Sequence, residues 1–424
     1  MNILWICNIM PSLIAKNLHL PEHHLNGWIN VLADVLRKTP QYSLTIMFPI
    51  GKSEQRLHGQ TDNISYCSFY YNAVHPEQYE SGQEVFFEKA LTIIKPNLIH
   101  IWGSEYPHTL SMLNVCEKKG LLEQTIISIQ GLISVYTKHY YANLPQKIIR
   151  RKSFRDFIRH DGIREQKKKF SIRGTYEINA LKKAKHVIGR TEWDFACVKF
   201  INPSISYHQA NEILRSCFYE EKWELKNCQR YSIFVSQWEY PIKGFHTLLT
   251  AFKNITAEFP QAKLIATGRN LLKPTKKDRL KQTYYDRYLL HLIKTWGLEK
   301  NIIFLGHRLN ETEMRAQYLH AHVFALPSAI ENSPNSMGEA MLLGTPVVAA
   351  NVGGVSSMLT HNREGFLYPF DEPYMLEYYI KKFFQHDELA EKISLAERMR
   401  ASKTHNIQEN TANYLNIYHT ITKK

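Results

Sequence analysis

ENSPNSMGEAMLLGTPVVAANVGG, residues 331–354, reads as one crossing between two parallel strands. The run HVFALPS before it (322–328) is apolar and β-rich, as is VVAA at 347–350. Between them, MGEAMLL has helix-forming composition and ends at Gly344, with Pro346 just beyond. The spacing predicts Ser333 as helix cap and Pro334 as first helical residue. A strand, a short helix and a second strand in so few residues form the repeating unit of a doubly wound parallel sheet.

The same alternation extends in both directions. YSIFVSQ, AKLIATG and NIIFLG precede the stretch as strands, with helices between them such as GFHTLLTAFKNITAEFP, and GFLYPF follows it. Upstream, ILWICNI, YSLTIMFPI, NLIHIWG, QTIISIQG and AKHVIGRT form an earlier cycle of strands. CFYEEKWELKNCQR, from 217 to 230, has no clear period and marks a boundary. The expected organisation is two α/β domains, 1–215 and 230–404, with a helix at about 405–424 packing back on the first. Ligands of such sheets bind beyond the carboxyl ends of the strands.

At 424 residues, the chain has room for two domains. Its 44% hydrophobic and 22% charged content is that of a globular protein. A net charge of +14 points to an anionic partner. The six cysteines show no zinc-ligand spacing and read as reduced thiols. No signal peptide or membrane span is expected, so the expected location is cytoplasmic.

Glu331 and Glu339 bracket the predicted helix start, where amides around Asn335, Ser336 and Met337 would be free to bind an anion. Acids at such places also simply complement the helix dipole. Yet the order carboxylate, amides, carboxylate matches sugar hydroxyls, diphosphate and ribose hydroxyls in a sugar nucleotide.

In ENSPNSMGEAMLLGTPVVAANVGGV and EGFLYPF the chain resembles retaining glycosyltransferases of the GT-B fold, the glycogen-synthase-like family 4, or group 1. WEYPIKGFHTLLTAF is similar to that family's K-G-x-x-x-L-I-x-A-F segment, and KPNLIHIWGSEYPHTL to a segment of its N-terminal domain. The resemblance is densest over 231–370 and is strongest to enzymes of bacterial surface-polysaccharide synthesis. It implies two Rossmann-like domains facing a central cleft. It also implies a nucleotide-sugar donor, UDP- or GDP-linked, and a glycan or polyprenyl-linked acceptor. Lys243, before Gly244, would bind the donor diphosphate; Glu331 would hold the sugar hydroxyls and Glu339 the ribose.

The chain departs from the family in three places. The family's arginine six residues before the lysine is Gln237 here, leaving Arg269, in ATGRN, and Arg308, beside His307 in LGHRLN, as candidate replacement cations. A histidine common at the end of an N-domain strand is Gln130 here. The usual Gly-Gly after the first strand is reduced to Gly27. His100, Trp102 and Glu105, at the end of NLIHIWGSE, are candidates to line the acceptor side, though His100 and Trp102 also suit a domain core.

No D-x-D motif is present, so metal-free catalysis without a cofactor is expected, with same-face attack and retained configuration as the resemblance implies. Residues 138–190 carry 16 Lys/Arg against four Asp/Glu, and Leu144, Ile148, Ile149, Phe154, Phe157 and Ile158 fall among them at helical spacing. Such a stripe suits either a domain core or an anionic membrane surface, so a peripheral position on the inner membrane is a further expectation. No nucleic-acid-binding motif appears. The competing readings are a non-catalytic sugar-nucleotide-binding partner subunit and a GT-B fold epimerase or phosphorylase.

Overall fold

The computed structural model describes residues 1–20, 27–52 and 54–423. Contacts divide the chain into two units. One comprises Met1–Thr137, Lys169–Arg215 and His405–Lys424; the other comprises Lys138–Lys168 and Ser216–Thr404.

The first unit is built on β1 (Asn2–Cys7), β2 (Ser43–Gly51), β3 (His58–Thr61), β4 (Ile64–Tyr71), β5 (Leu98–Trp102), β6 (Thr125–Ser128), β7 (His186–Gly189) and β8 (Ser206–Gln209). Their order in the sheet is β3-β4-β2-β1-β5-β6-β7-β8. Among the described residues, only the β3–β4 pair is antiparallel. β1 is apolar on both faces: Ile3, Trp5 and Cys7 enter one core, Leu4 and Ile6 the other. Burial on both faces is what a parallel sheet covered by helices requires. The last helix, Ile407–Thr422, joins the first of these cores through Tyr414, Ile417, Tyr418 and Ile421.

The second unit has β9 (Gln229–Val235), β10 (Lys263–Ala266), β11 (Ile302–Phe304), β12 (Ala321–Leu326), β13 (Val347–Ala350) and β14 (Phe366–Tyr368). All pairs are parallel, in the order β11-β10-β9-β12-β13-β14. This is the dinucleotide-fold order, with the winding direction reversing between β9 and β12. In the first unit it reverses between β1 and β5. The loops leaving each pair diverge to opposite faces and open a crevice between them.

Two features of the sheets and units differ from expectation. First, β3 and β4 form a hairpin that was not expected, because HGQT is polar. Asp62 and Asn63 both have positive φ there (46° and 62°), as a two-residue hairpin turn demands. Second, Lys138–Lys168 groups with the second unit, where the sequence placed it in the first. Specific bonds hold it there. His246 shares a hydrogen bond of 2.7 Å with the Ala142 carbonyl, and the Tyr284 amide donates to Asp156 Oδ2 at 2.7 Å.

Candidate functional site

In the second unit, the loop leaving β9 passes through a tight turn at Pro241–Lys243 and a left-handed Gly244 (φ 68°). A Cβ on Gly244 would collide with the Pro327 carbonyl in the loop leaving β12, so only glycine allows this approach. The Ala329 amide donates to the Ile242 carbonyl at 2.7 Å and ties the two loops together. The result places Lys243 Nζ 2.6 Å from Glu331 Oε1, both largely buried. Burial pulls the lysine pKa down, but the Glu331 carboxylate, helped by Tyr240, more than offsets this, so the pKa is raised and the ammonium stays charged. Glu331 is fixed from behind. Its carbonyl accepts from the Gly354 amide at 3.1 Å, and a side chain at Gly353 (φ 53°) would strike that carbonyl.

Helix Asn335–Leu343 begins beside this pair. Pro334, not Ser333, is its cap: ψ of 116° places the proline outside the helix. The Pro334 carbonyl accepts from the Met337 and Gly338 amides at 3.0 and 3.2 Å, and no side chain caps the helix. Asn335 and Ser336 therefore keep amides that, among the described residues, have no acceptor. The Ser328 hydroxyl is buried without a hydrogen-bond partner. A small cavity is lined by Ser236, Gln237, Lys243, Ser328 and Ser336. An ammonium, helix amides and a hydroxyl thus collect beside one small cavity, which is the donor set of an anion site. Glu339 lies one turn into the helix and is 6% exposed.

The first unit repeats the plan at its own reversal point. Asn8 follows β1 and Glu105 follows β5, and Asn8 Nδ2 donates to Glu105 Oε2 at 3.1 Å. His108, in the first turn of helix Pro107–Lys118, shares a bond of 2.9 Å with Asn8 Oδ1. Gly103 (φ 110°) gives these side chains room; a Cβ there would overlap both Asn8 and Glu105. Arg173 Nε donates to the Glu105 carbonyl at 2.8 Å. Burial of Glu105, with repulsion from Glu177, raises its pKa to about 7. Burial and the Arg173 cation push His108 down to about 3, so its ring is neutral.

Residues 218–400 match the family model Glycosyl transferases group 1. This segment contains the Lys243–Glu331 pair and helix Asn335–Leu343. Mannosylfructose-phosphate synthase of Agrobacterium fabrum is 29% identical over 167 residues, 39% of this chain and 34% of that protein. The matched segments span about a third of the length of such curated relatives. Sucrose-phosphate synthase from Thermosynechococcus elongatus superposes with a TM-score of 0.69 at 15% identity, covering 99% of both chains. HepE of Anabaena, solved with UDP-glucose, gives 0.65 at 16% identity over 98% of this chain and 99% of that one. The fold is that of the GT-B glycosyltransferases.

Several expected residues are not beside the Lys243–Glu331 pair or are already committed. His100 is fully buried between Tyr418 Oη (2.6 Å) and Ser128 Oγ (2.7 Å), and burial holds its pKa well below the usual value. Trp102 stacks on it at 3.9 Å and is 3% exposed. Both belong to the core, since β5 is buried along its whole length. Arg269 binds the buried Asp286 at 2.7 Å, so its charge is already matched. Met337 is fully buried, and its amide is used by Pro334. His307 shares bonds with the Leu305 carbonyl and Glu313. Arg308 is exposed without an ion pair among the described residues, and Gln237 is exposed at the mouth of the cavity. Gln130 is half-buried, its carbonyl accepting from Arg190 at 3.1 Å. Gly27 opens helix Gly27–Lys38; residues 21–26, ahead of it, lie outside the described residues. Asn8, His108 and Ser328 were missed. Asn8 and Ser328 had a readable signal, since each is a polar residue closing an apolar strand.

The Glu105 environment yields a pH prediction. The folded protein keeps this carboxyl protonated up to about 7, whereas an ordinary glutamate ionises near 4.5. Between those values the folded state holds the extra proton, so stability falls as pH rises through the window. Thermal melts of wild type and Glu105→Gln at pH 5 and pH 8 test this. The wild type should lose melting temperature relative to the variant on going to pH 8; parallel profiles would refute the assignment.

Proposed function

We propose that this chain is a retaining glycosyltransferase that moves a hexose from a UDP- or GDP-linked donor to a glycan acceptor carried on a lipid, in the synthesis of a surface polysaccharide. The observation that carries the reading is the Lys243–Glu331 pair beside the uncapped start of helix Asn335–Leu343. The diphosphate would lie against the Lys243 ammonium, the Asn335 and Ser336 amides and the Ser328 hydroxyl. Glu331 would accept from sugar hydroxyls and Glu339 from the ribose. Glu105 would accept from an acceptor hydroxyl. UDP bound in the Anabaena neighbour supports a uridine donor.

Charge builds on the leaving diphosphate as the sugar–phosphate bond breaks, and cations and amides set in place beforehand stabilise it. In the proposed same-face route, the departing phosphate oxygen takes the acceptor proton. These groups supply that charge without a metal ion. Activity in EDTA equal to that with Mn²⁺ is the expected result; loss in EDTA restored by Mn²⁺ would overturn the metal-free part.

The first experiment is a thermal-shift series with UDP, GDP, ADP and CMP. One diphosphate at about 100 times its Kd should add roughly 2.7 kcal/mol of stability, a shift of several degrees. No shift with any of them would overturn the reading. A second reading rests on the exposed Gln237, which leaves the site one cation short: a subunit that binds the sugar nucleotide without transferring it. Donor hydrolysis or sugar transfer by the purified protein decides between the two.

A further inference from the structure

The apolar stripe at 144–158 is not one helix. It breaks at Arg151–Ser153 into Gln146–Arg150 and Phe154–Arg159, with Arg151 extended (ψ 154°) and Ser153 capping the second helix. The break divides the stripe's two roles. Leu144, Ile148 and Ile149 are buried in the second unit. Phe154, Phe157 and Ile158 are instead 72%, 64% and 60% exposed. Three large apolar side chains on two turns of helix form a patch that burial within the unit does not explain.

The helix that presents them is firmly held. Ser153 and Asp156 form a capping box, and buried Asp156 also accepts from the Tyr284 amide at 2.7 Å. Arg151 donates to the Tyr284 hydroxyl at 3.1 Å. The exposed patch is thus a fixed feature of the unit, carried on a buried anchor. Lys138–Lys168 carries ten Lys/Arg against three Asp/Glu. Asp161 and Glu165 are spent on Arg155 and Lys152, and Asp156 is buried. Arg150, Arg159, Arg164 and Lys168 are exposed and, among the described residues, unpaired.

We propose that helix Phe154–Arg159 is an interfacial anchor that docks the second unit onto an anionic lipid surface. Phe154, Phe157 and Ile158 enter the headgroup–acyl boundary while the surrounding cations meet the lipid phosphates. Among the described residues, no helix is long and apolar enough to cross a membrane, so the contact is one of surface insertion. The apolar patch favours lipid over nucleic acid, which would reward the cations but not the phenylalanines. The unit that docks is the one holding the Lys243–Glu331 site, but the docking helix shares no residue with that site.

The test is co-sedimentation of the full chain with vesicles of phosphatidylcholine alone or mixed with phosphatidylglycerol, at low and high salt. Wild type should bind the anionic vesicles, lose binding in high salt and ignore the neutral ones. Phe154→Ser and Phe157→Ser should each weaken binding about tenfold. Arg159→Gln with Arg164→Gln should also weaken it and flatten the salt dependence. All four positions are exposed, so melting temperature and nucleotide binding should not change. In Phe157→Trp, tryptophan emission should shift to the blue when anionic vesicles are added. Unchanged binding in the phenylalanine variants, no blue shift, or a concentration-dependent dimer that the same variants abolish would each overturn the proposal.

Discussion

Glu331→Gln is expected to lower sugar transfer by about a hundredfold to a thousandfold, the range seen when one preorganised transition-state contact is removed. The substitution keeps the size of the side chain and removes its charge. In the resting protein that charge balances Lys243 at 2.6 Å in a largely buried setting. Breaking such a pair leaves an uncompensated buried cation and costs roughly 3–5 kcal/mol. The ligand-free variant should therefore melt earlier than wild type. A nucleoside diphosphate would then supply the missing negative charge, so the stabilisation it confers should be larger in the variant than in wild type. Loss of transfer with a gain in diphosphate stabilisation is a combination that general unfolding would not produce. Transfer within threefold of wild type would remove Glu331 from the chemistry.

Much of this site could be read before the fold was known, because its parts are local in the chain. A polar turn before an apolar run predicts exposed helix amides wherever it occurs, and Gly344 closes the helix in left-handed conformation (φ 83°) as its sequence position suggests. The pairing of Lys243 with Glu331 is not local. It depends on β9 and β12 being neighbours, which follows from strand order and not from any single segment. The cap moved from Ser333 to Pro334 because the proline carbonyl, extended and free, reaches two amides. His100 and Trp102 were ambiguous for another reason: a strand buried on both faces shows no alternation to say which side chains look outward. Asn8 and Glu105 meet only because β1 and β5 lie side by side. The basic stripe left two readings open, a domain core or an exposed face. Its helical spacing was real in sequence, but the break at Arg151–Ser153 turned its second half outward.

Lys243→Ala should weaken nucleoside diphosphate binding by about a hundredfold or more, and the size of the loss follows from two terms. The first is a charge-assisted bond to phosphate, worth roughly 1.5–3 kcal/mol. The second is the carboxylate left behind. Without the ammonium, Glu331 faces the incoming diphosphate as a like charge in a poorly solvated place. Removing both partners separates these terms. Lys243→Ala with Glu331→Ala abolishes the repulsion along with the attraction, so the double variant should bind diphosphate more tightly than Lys243→Ala alone. That non-additivity is the signature of two groups acting on one ligand. Gln237→Arg extends the same logic, since an added cation at the mouth of the cavity should restore part of what Lys243→Ala loses. Calorimetric titration of the four proteins with UDP and GDP measures every term. If Lys243→Ala binds as well as wild type, the diphosphate lies elsewhere, and the anion site at helix Asn335–Leu343 has been assigned to the wrong part of the donor.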